Sequence, residues 1–94
     1  MQNEVFKALS DPIRREIIKM LRTGPMKATD IANSFSNLSN ATISYHLSKL
    51  KEADLIYLSK DKNFIYYSLN LTILEEMLLW FDFFVKGSEK TSEK

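Results

Sequence analysis

The chain has 94 residues, of which 45% are hydrophobic and 27% charged, a balance typical of one globular domain rather than a disordered chain. Its 13 Lys and Arg residues nearly balance 12 Asp and Glu residues, and the net charge of +1 excludes a polybasic or polyacidic chain. The absence of cysteine excludes disulfides, zinc fingers and cysteine nucleophiles.

The charges are unevenly distributed along the chain. Residues 7–62 carry ten basic and six acidic side chains, whereas residues 63–94 carry three and five. We therefore expect an anionic partner to meet the first two-thirds of the chain. The start of the sequence lacks the basic and apolar segments of a signal peptide, and the longest apolar stretch, 77–85, is about half of a membrane span. We expect a cytoplasmic protein with no membrane insertion.

Three helices are predicted in the first third of the chain. A short helix over residues 2–9 is followed by Asp11 and Pro12, which suit the cap and the first position of a second helix. This second helix runs to about Thr23, before a Gly-Pro pair that stops it. The third helix is expected over residues 28–35.

A fourth helix is predicted from a cap at Ser39 to about Ala53. Its Ile43, Leu47 and Leu50 fall on one side and are expected to be buried. The opposite face is small and polar, and residues 40–48 include no acidic side chain. Together with the third helix this is the layout of a helix-turn-helix, whose second helix reads base edges in the major groove. The candidate DNA-binding residues of this helix are Asn40, Ala41, Thr42, Ser44, Tyr45, Ser48 and Lys49.

A β-hairpin is predicted after the fourth helix. Residues 55–59 and 64–69 are rich in β-branched and aromatic side chains, and the polar residues 60–63 between them form the turn. Lys60 and Lys62 at this turn are candidate contacts to DNA phosphates or the minor groove. Lysine at a loop tip is also common for solubility alone. The position of the hairpin directly after the predicted recognition helix is what favours DNA contact for these two residues.

His46 is the single histidine, and the pattern favours a packed, hydrogen-bonded residue over a metal ligand or a catalytic base. Acidic residues do not cluster around it in the sequence, and Ser44, two positions earlier, does not face it on a helix. The two glycines are too far apart to form a phosphate-binding loop. We therefore expect no metal, no cofactor and no enzymatic activity.

The last helix is predicted to begin at a capping box formed by Thr72 and Glu75 and to end near Gly87. Apolar side chains occupy about 200° of the circumference of this helix, roughly twice the width that packing against the core of its own protomer requires. The surplus is expected to pack against a second copy across a two-fold axis, with a membrane surface disfavoured because the polar stripe is mostly acidic. The candidate dimer-interface residues are Val5, Phe6, Leu9, Leu74, Met77, Leu78, Trp80, Phe81 and Phe84.

The predicted order is α-α-α-α-β-β-α, a mainly α (α+β) fold. One domain is expected over residues 1–87, followed by a polar, disordered tail over 88–94.

The chain resembles the ArsR/SmtB-type winged-helix repressors over residues 3–86, and within them the SdpR-like autorepressor branch. Four segments carry the likeness: Phe6–Ile18 at the first helix junction, Asp30–Ala32, Leu38–Leu50 at the recognition helix, and Ile65–Leu69 in the second wing strand. The last helix, aromatic and containing Trp80, carries the likeness to the branch.

The resemblance implies a homodimer, formed by the first and last helices, that represses transcription at a pseudo-palindromic operator, often that of its own gene. Many members sense metals through cysteines near the third helix and histidines on the last helix. This sequence lacks both, so the resemblance does not imply metal sensing here. The inducing signal could be a ligand, a sequestering partner protein, or nothing beyond the concentration of the repressor.

Two other functions compete with sequence-specific repression. A winged helix can serve as a protein–protein interaction module without reading DNA, although the absence of Asp and Glu over residues 40–48 favours DNA. An enzyme or a small-ligand carrier is disfavoured because no polar side chains converge in the sequence pattern.

Overall fold

The computed structural model describes the backbone of residues 2–92 and the side chains of residues 3–86. Its elements are α1 (Gln2–Leu9), α2 (Pro12–Met20), β1 (Met26–Lys27), α3 (Ala28–Asn33), α4 (Asn40–Glu52), β2 (Ile56–Asp61), β3 (Phe64–Leu69) and α5 (Leu71–Ser92). A short 3-10 turn, Leu21–Thr23, continues α2. The predicted mainly helical winged-helix fold is confirmed.

The helices around the helix-turn-helix begin where side-chain caps were predicted. The carboxylate of Asp11 accepts hydrogen bonds from the backbone N–H groups of Ile13 at 2.7 Å and Arg14 at 3.2 Å. The hydroxyl of Ser39 accepts one from the N–H of Thr42 at 3.1 Å. Each cap satisfies orphan donors in the first helical turn, so the starts of α2 and α4 are fixed locally by sequence.

The sheet has one strand more than the sequence predicted. β1 pairs antiparallel with β3, Met26 opposite Tyr67, and the strand order is β1-β3-β2. A strand of two residues shows no alternation of polar and apolar side chains, so pattern analysis cannot detect it. It ties the segment before α3 to the hairpin.

The turn of the hairpin is shorter than predicted. Asp61 pairs with Phe64, so Lys62 and Asn63 alone connect the strands. The prediction that Lys60 lies in the turn is wrong, because it belongs to β2 and pairs with Ile65. Backbone pairing of Lys60 and Asp61 with β3 extends the strand beyond its apolar part, where hydrophobic patterning gives no signal.

The start of α5 differs from the prediction. Asn70, not Thr72, is the capping residue: its Oδ1 accepts a hydrogen bond from the N–H of Thr72 at 3.2 Å. The predicted capping box is therefore wrong, although its position is correct to within two residues. The helix then continues past the predicted end near Gly87 to Ser92. Of the predicted tail 88–94, residues 93 and 94 lie outside the described residues.

Two further helix ends differ slightly from the prediction. α3 ends at Asn33 rather than at Phe35, whose N–H still donates to the carbonyl of Ala32 at 3.2 Å in a following turn. α4 ends at Glu52, one residue before the predicted Ala53.

One hydrophobic core lies between the helices and the inner face of the sheet. Ile17, Ile31 and Leu50 are completely buried, and Ile43 is 2% exposed, as its stripe predicted. Val5 and Met77 also belong to this core, with exposed fractions of 1% and 9%. The prediction that these two residues lie in a dimer interface is therefore wrong, since the protomer itself covers them.

Candidate nucleic-acid interface

α4 presents the predicted polar face to solvent. Its buried side consists of Ile43, His46, Leu47 and Leu50. The predicted contact residues lie outside this side: Asn40, Ala41, Ser44, Tyr45 and Ser48 are exposed, and Thr42 and Lys49 are partly buried at its edge. The Thr42 hydroxyl lies 2.9 Å from the Ser39 hydroxyl and is engaged in the helix cap. The remaining side chains form a surface, here called the recognition face, with no acidic group before Glu52.

Tyr45 is the largest side chain on the recognition face. It is 55% exposed, and its ring meets the His46 ring edge-on with 5.5 Å between the centroids. The Nζ of Lys49 lies 5.6 Å from the Tyr45 ring centroid and 3.6 Å from a carboxylate oxygen of Glu52. Neighbours therefore restrict the base of the Tyr45 side chain while over half of its surface stays accessible.

Beneath this face, Arg14 connects α1 to α4. Its Nε donates to the carbonyl oxygen of Ala8 at 2.6 Å, at the C-terminal end of α1. Its Nη1 lies 3.3 Å from Nδ1 of His46, a residue 8% exposed. His46 is thus the packed, hydrogen-bonded residue that the sequence predicted. The positioning role of Arg14 was missed, since sequence spacing gives no signal for contact with a helix 32 residues later.

Asp11 lies at the edge of the same cluster, with Oδ1 3.9 Å from Nδ1 of His46. Partial desolvation raises the pKa of this carboxyl, but the N–H groups of Arg14 and Ile13 and the charges of His46 and Arg14 outweigh it. The net pKa of Asp11 is below its ordinary value, so this carboxyl stays ionised to a lower pH than an ordinary aspartate.

The hairpin β2–β3 forms the wing. Lys62 at its tip is exposed and has a φ of 58°, a left-handed conformation that only Gly, Asn and Asp adopt at low cost. Lys60 is exposed in the strand before it. Next to the turn of the wing, where β3 begins, the Nζ of Lys27 lies 4.1 Å from the Phe64 ring centroid and connects the start of α3 to β3. Sequence reasoning did not identify this cation–π contact, because it joins positions distant in the chain.

α5 and α1 expose a continuous apolar surface. The Phe6 ring of α1 lies 5.3 Å from the Trp80 ring and 6.3 Å from the Phe81 ring. Phe6, Leu9 and Leu74 also pack partly against the core. The more exposed members are Leu78 at 68%, Phe84 at 52%, Phe81 at 49% and Trp80 at 40%.

Comparison with known proteins agrees with this arrangement. Residues 11–57, which include α2, α3 and α4, match the family model described as bacterial regulatory protein, arsR family. Over 86 residues the chain is 49% identical to the transcriptional repressor SdpR of Bacillus subtilis (strain 168), covering 90% of this chain and 94% of SdpR. The chain belongs to the arsR family of bacterial regulatory proteins. It is a DNA-binding transcriptional repressor, and its predicted likeness to the SdpR-like branch is confirmed.

Two further comparisons support the family and the fold. The arsenical resistance operon repressor of Staphylococcus aureus is 35% identical over 74 residues, 79% of this chain and 70% of that repressor. The crystal structure of an ArsR family transcriptional regulator superposes with a TM-score of 0.83 and 22% identity, covering 94% of this chain and 90% of that one. This second likeness shows the fold. Across the described residues, no helix is both long and apolar enough to span a bilayer.

Proposed function

We propose that this arsR-family chain binds a pseudo-palindromic operator as a homodimer and represses transcription, including that of its own gene. The observation that carries the proposal is the recognition face, a small polar surface on the second helix of a helix-turn-helix with no carboxylate over residues 40–48. Such a surface can approach base edges without repelling phosphates.

Base reading is assigned to the exposed side chains of the recognition face. Asn40 and the hydroxyls of Ser44 and Ser48 suit hydrogen bonds to bases, and Ala41 suits contact with a thymine methyl. Tyr45 offers both a ring and a hydroxyl. We assign contacts to the phosphate backbone to Lys49, Lys60 and Lys62, because a lysine ammonium is a point charge without the directional hydrogen-bonding pattern that base reading requires.

The homodimer is supported by the spacing of apolar residues on α5 that are exposed or, in the case of Leu74, partly buried. Leu71, Leu74, Leu78, Phe81 and Val85 alternate at intervals of three and four residues, which is the seam of a two-helix coiled coil. Exposure of 68% for Leu78 and 54% for Val85 is costly in a lone protomer. Packing against α5 of a second copy covers this seam, while Phe6 and Leu9 of α1 extend the interface.

Metal regulation and enzymatic activity are not part of the proposal. The sequence contains no cysteine, and the ring of His46 is directed to Arg14. Among the described residues, no three histidine or acidic side chains gather as a ligand set. We assign the protein to the cytoplasm, where the operator is accessible.

The proposal is tested by fluorescence anisotropy with DNA from upstream of its own gene and with a scrambled duplex. We expect tighter binding to the native sequence, and a loss of roughly 10³–10⁵ in affinity from 50 to 200 mM salt if six to ten phosphates are contacted. Tyr45→Ala should cost about 1–3 kcal/mol at one base position and relax preference there. Tyr57→Ala is the matched control, because Tyr57 is a similarly exposed tyrosine, at 53%, on β2.

Equal affinity for the native and the scrambled duplex would contradict sequence-specific repression. It would favour the alternative function, a winged-helix module that binds protein rather than DNA. Equal effects of Tyr45→Ala on both duplexes would instead limit Tyr45 to packing or phosphate contact.

A further inference from the structure

A groove of about 380 Å³ separates α1 and the start of α2 from α4. Buried Ala8 and Ala53 are among its lining residues, and Lys7 of α1 and Lys49 of α4 contribute to it from opposite sides. Tyr45 belongs both to this lining and to the recognition face. The groove, here called the α1–α4 groove, is therefore continuous with the surface assigned to base reading.

The charges of the α1–α4 groove favour an anion. Arg14 lines it, but its guanidinium is held by the carbonyl oxygens of Ala8 and Lys7 and by His46. The exposed Lys7 forms no ion pair within the part of the chain that the structure describes. Two carboxylates oppose the cations: Glu52 pairs with Lys49 at 3.6 Å, and Glu4 precedes Lys7 by one turn of α1.

A recognition helix in the major groove has a DNA backbone strand along each of its flanks. Lys49 lies at the edge of the recognition face, on the flank that faces α1. A phosphodiester on that flank would meet two lysines from different helices, and Lys49 could exchange its exposed partner Glu52 for it at low cost. The start of α2 is already capped by Asp11, so lysine side chains rather than helix N–H groups would provide the contact.

We propose that the α1–α4 groove receives a phosphate of the operator backbone between Lys7 and Lys49. This inference rests on the proposed function, because it requires α4 to enter the major groove. It adds α1 to the DNA-binding surface, so that the helix whose Phe6 contributes to the apolar surface also contacts the operator.

The test compares two substitutions in the groove with two charge-matched substitutions outside it. Lys7→Gln should lower the slope of log affinity against log salt by about one per protomer, equally for native and scrambled DNA. Each lost phosphate contact should remove a factor of about 3.5 from the affinity change between 50 and 200 mM salt. Glu4→Gln should tighten binding, because it removes a carboxylate from the groove.

Lys19→Gln and Glu16→Gln make the same changes in charge at an exposed pair on α2 that does not line the groove. Lys19→Gln should change the DNA affinity and its salt slope clearly less than Lys7→Gln does. Glu16→Gln should change them clearly less than Glu4→Gln does. Thermal unfolding of all four variants verifies that each is folded, which is expected because each changes an exposed side chain.

Lys62→Gly in the wing serves as a positive control for a lost phosphate contact. If wild type binds its operator and Lys62→Gly lowers the slope, but Lys7→Gln acts like Lys19→Gln, this inference is wrong and the proposed function stands. If wild type does not prefer native DNA, the proposed function itself fails.

Discussion

Asp11 caps α2 and faces the buried histidine, and its titration makes a testable contribution to stability. Since its pKa is lowered in the folded state, its ionised form stabilises the fold above the unfolded pKa of about 4, and this contribution is lost as pH falls through the folded pKa. Asp11→Ala should cost about 1 kcal/mol at pH 7. Urea unfolding at pH 7 measures the free energy of unfolding that Asp11→Ala removes. Urea unfolding at pH 3 measures how much of the contribution of Asp11 is lost in acid.

Asp11→Asn is the control, because asparagine is an equally good cap that does not titrate. It should retain its capping contribution at pH 3, where the wild type loses part of it. A wild type and an Asp11→Asn variant that lose equal stability between the two pH values would show that Asp11 is not the responsible group.

Lys62 combines a charge with a strained backbone, and two substitutions separate the two effects. Both Lys62→Ala and Lys62→Gly remove the charge, so both should reduce the salt slope of DNA binding by about one per protomer. Only glycine adopts a φ of 58° without a steric cost, so Lys62→Gly should be the more stable variant by about 1 kcal/mol. Salt titration and urea unfolding of the pair check the prediction, and a difference in slope between them would mean that wing conformation, not charge, controls affinity.

At the scale of the elements, Asn70 fastens the end of α4 to the start of α5. Its Nδ2 donates to the carbonyl of Asp54 at 2.8 Å, and the N–H of Leu55 bonds back to the carbonyl of Leu50 at 3.0 Å. Asp54 has a φ of 60°, so α4 ends in a Schellman motif with aspartate at the position glycine usually occupies. The side chain of Asn70 therefore links the end of the recognition helix to the start of the last helix.

Asn70→Ala should destabilise the fold by about 1–3 kcal/mol, since Asn70 is 7% exposed and the carbonyl of Asp54 loses a partner. Asn70→Asp keeps an acceptor for the N–H of Thr72 but places a carboxylate oxygen against the carbonyl of Asp54 in place of the donor, so its cost should be at least as large. Chemical unfolding measures both variants. Equal stability of wild type and Asn70→Ala would contradict the assigned role.

The elements also show what sequence alone can predict. Local signals located α2 and α4 well, because Asp11 and Ser39 act on N–H groups two or three positions away. The same logic misplaced the cap of α5, where Thr72 fits the local pattern but Asn70 is selected by a contact with Asp54, 16 residues away. β1 depends entirely on pairing with β3, and no local pattern encodes it.

The candidate site also combines features that the local sequence predicts with features that it does not. The polar face of α4 follows from helical periodicity, whereas the Lys27–Phe64 contact and the Arg14–His46 contact depend on tertiary packing. Val5 and Met77 illustrate a related failure: an apolar stripe identifies a surface to be covered, but not whether the protomer or a partner covers it.

At the scale of the whole molecule, we expect operator binding to require the proposed dimer. Phe81→Glu places a carboxylate in the α5 seam of both protomers, at a cost of several kcal/mol. Phe83→Glu is the matched control: Phe83 is 73% exposed and lies about 160° around the helix from Phe81. Sedimentation at micromolar concentration should show a monomer for Phe81→Glu and a dimer for wild type and Phe83→Glu.

Operator binding should follow oligomeric state. A monomer presents one recognition helix and loses the gain of about 10²–10⁴ that comes from two linked half-sites. If Phe81→Glu unfolds instead, the truncating variant Phe81→Ala tests the same interface with less disruption. A wild type that is monomeric and still binds its operator tightly would refute the dimer.

The strand order β1-β3-β2 leaves β2 with neighbours on one side. An unpaired strand edge is a template on which further strands can add, and Tyr57 and Leu58 make the first half of β2 attractive for such growth. Lys60 and Asp61 occupy its second half, and charged side chains discourage edge-to-edge pairing. We therefore expect Lys60, a wing lysine assigned to DNA, to limit aggregation as well, so neutralising it should reduce the solubility of the protein at high concentration, even in the absence of any nucleic acid.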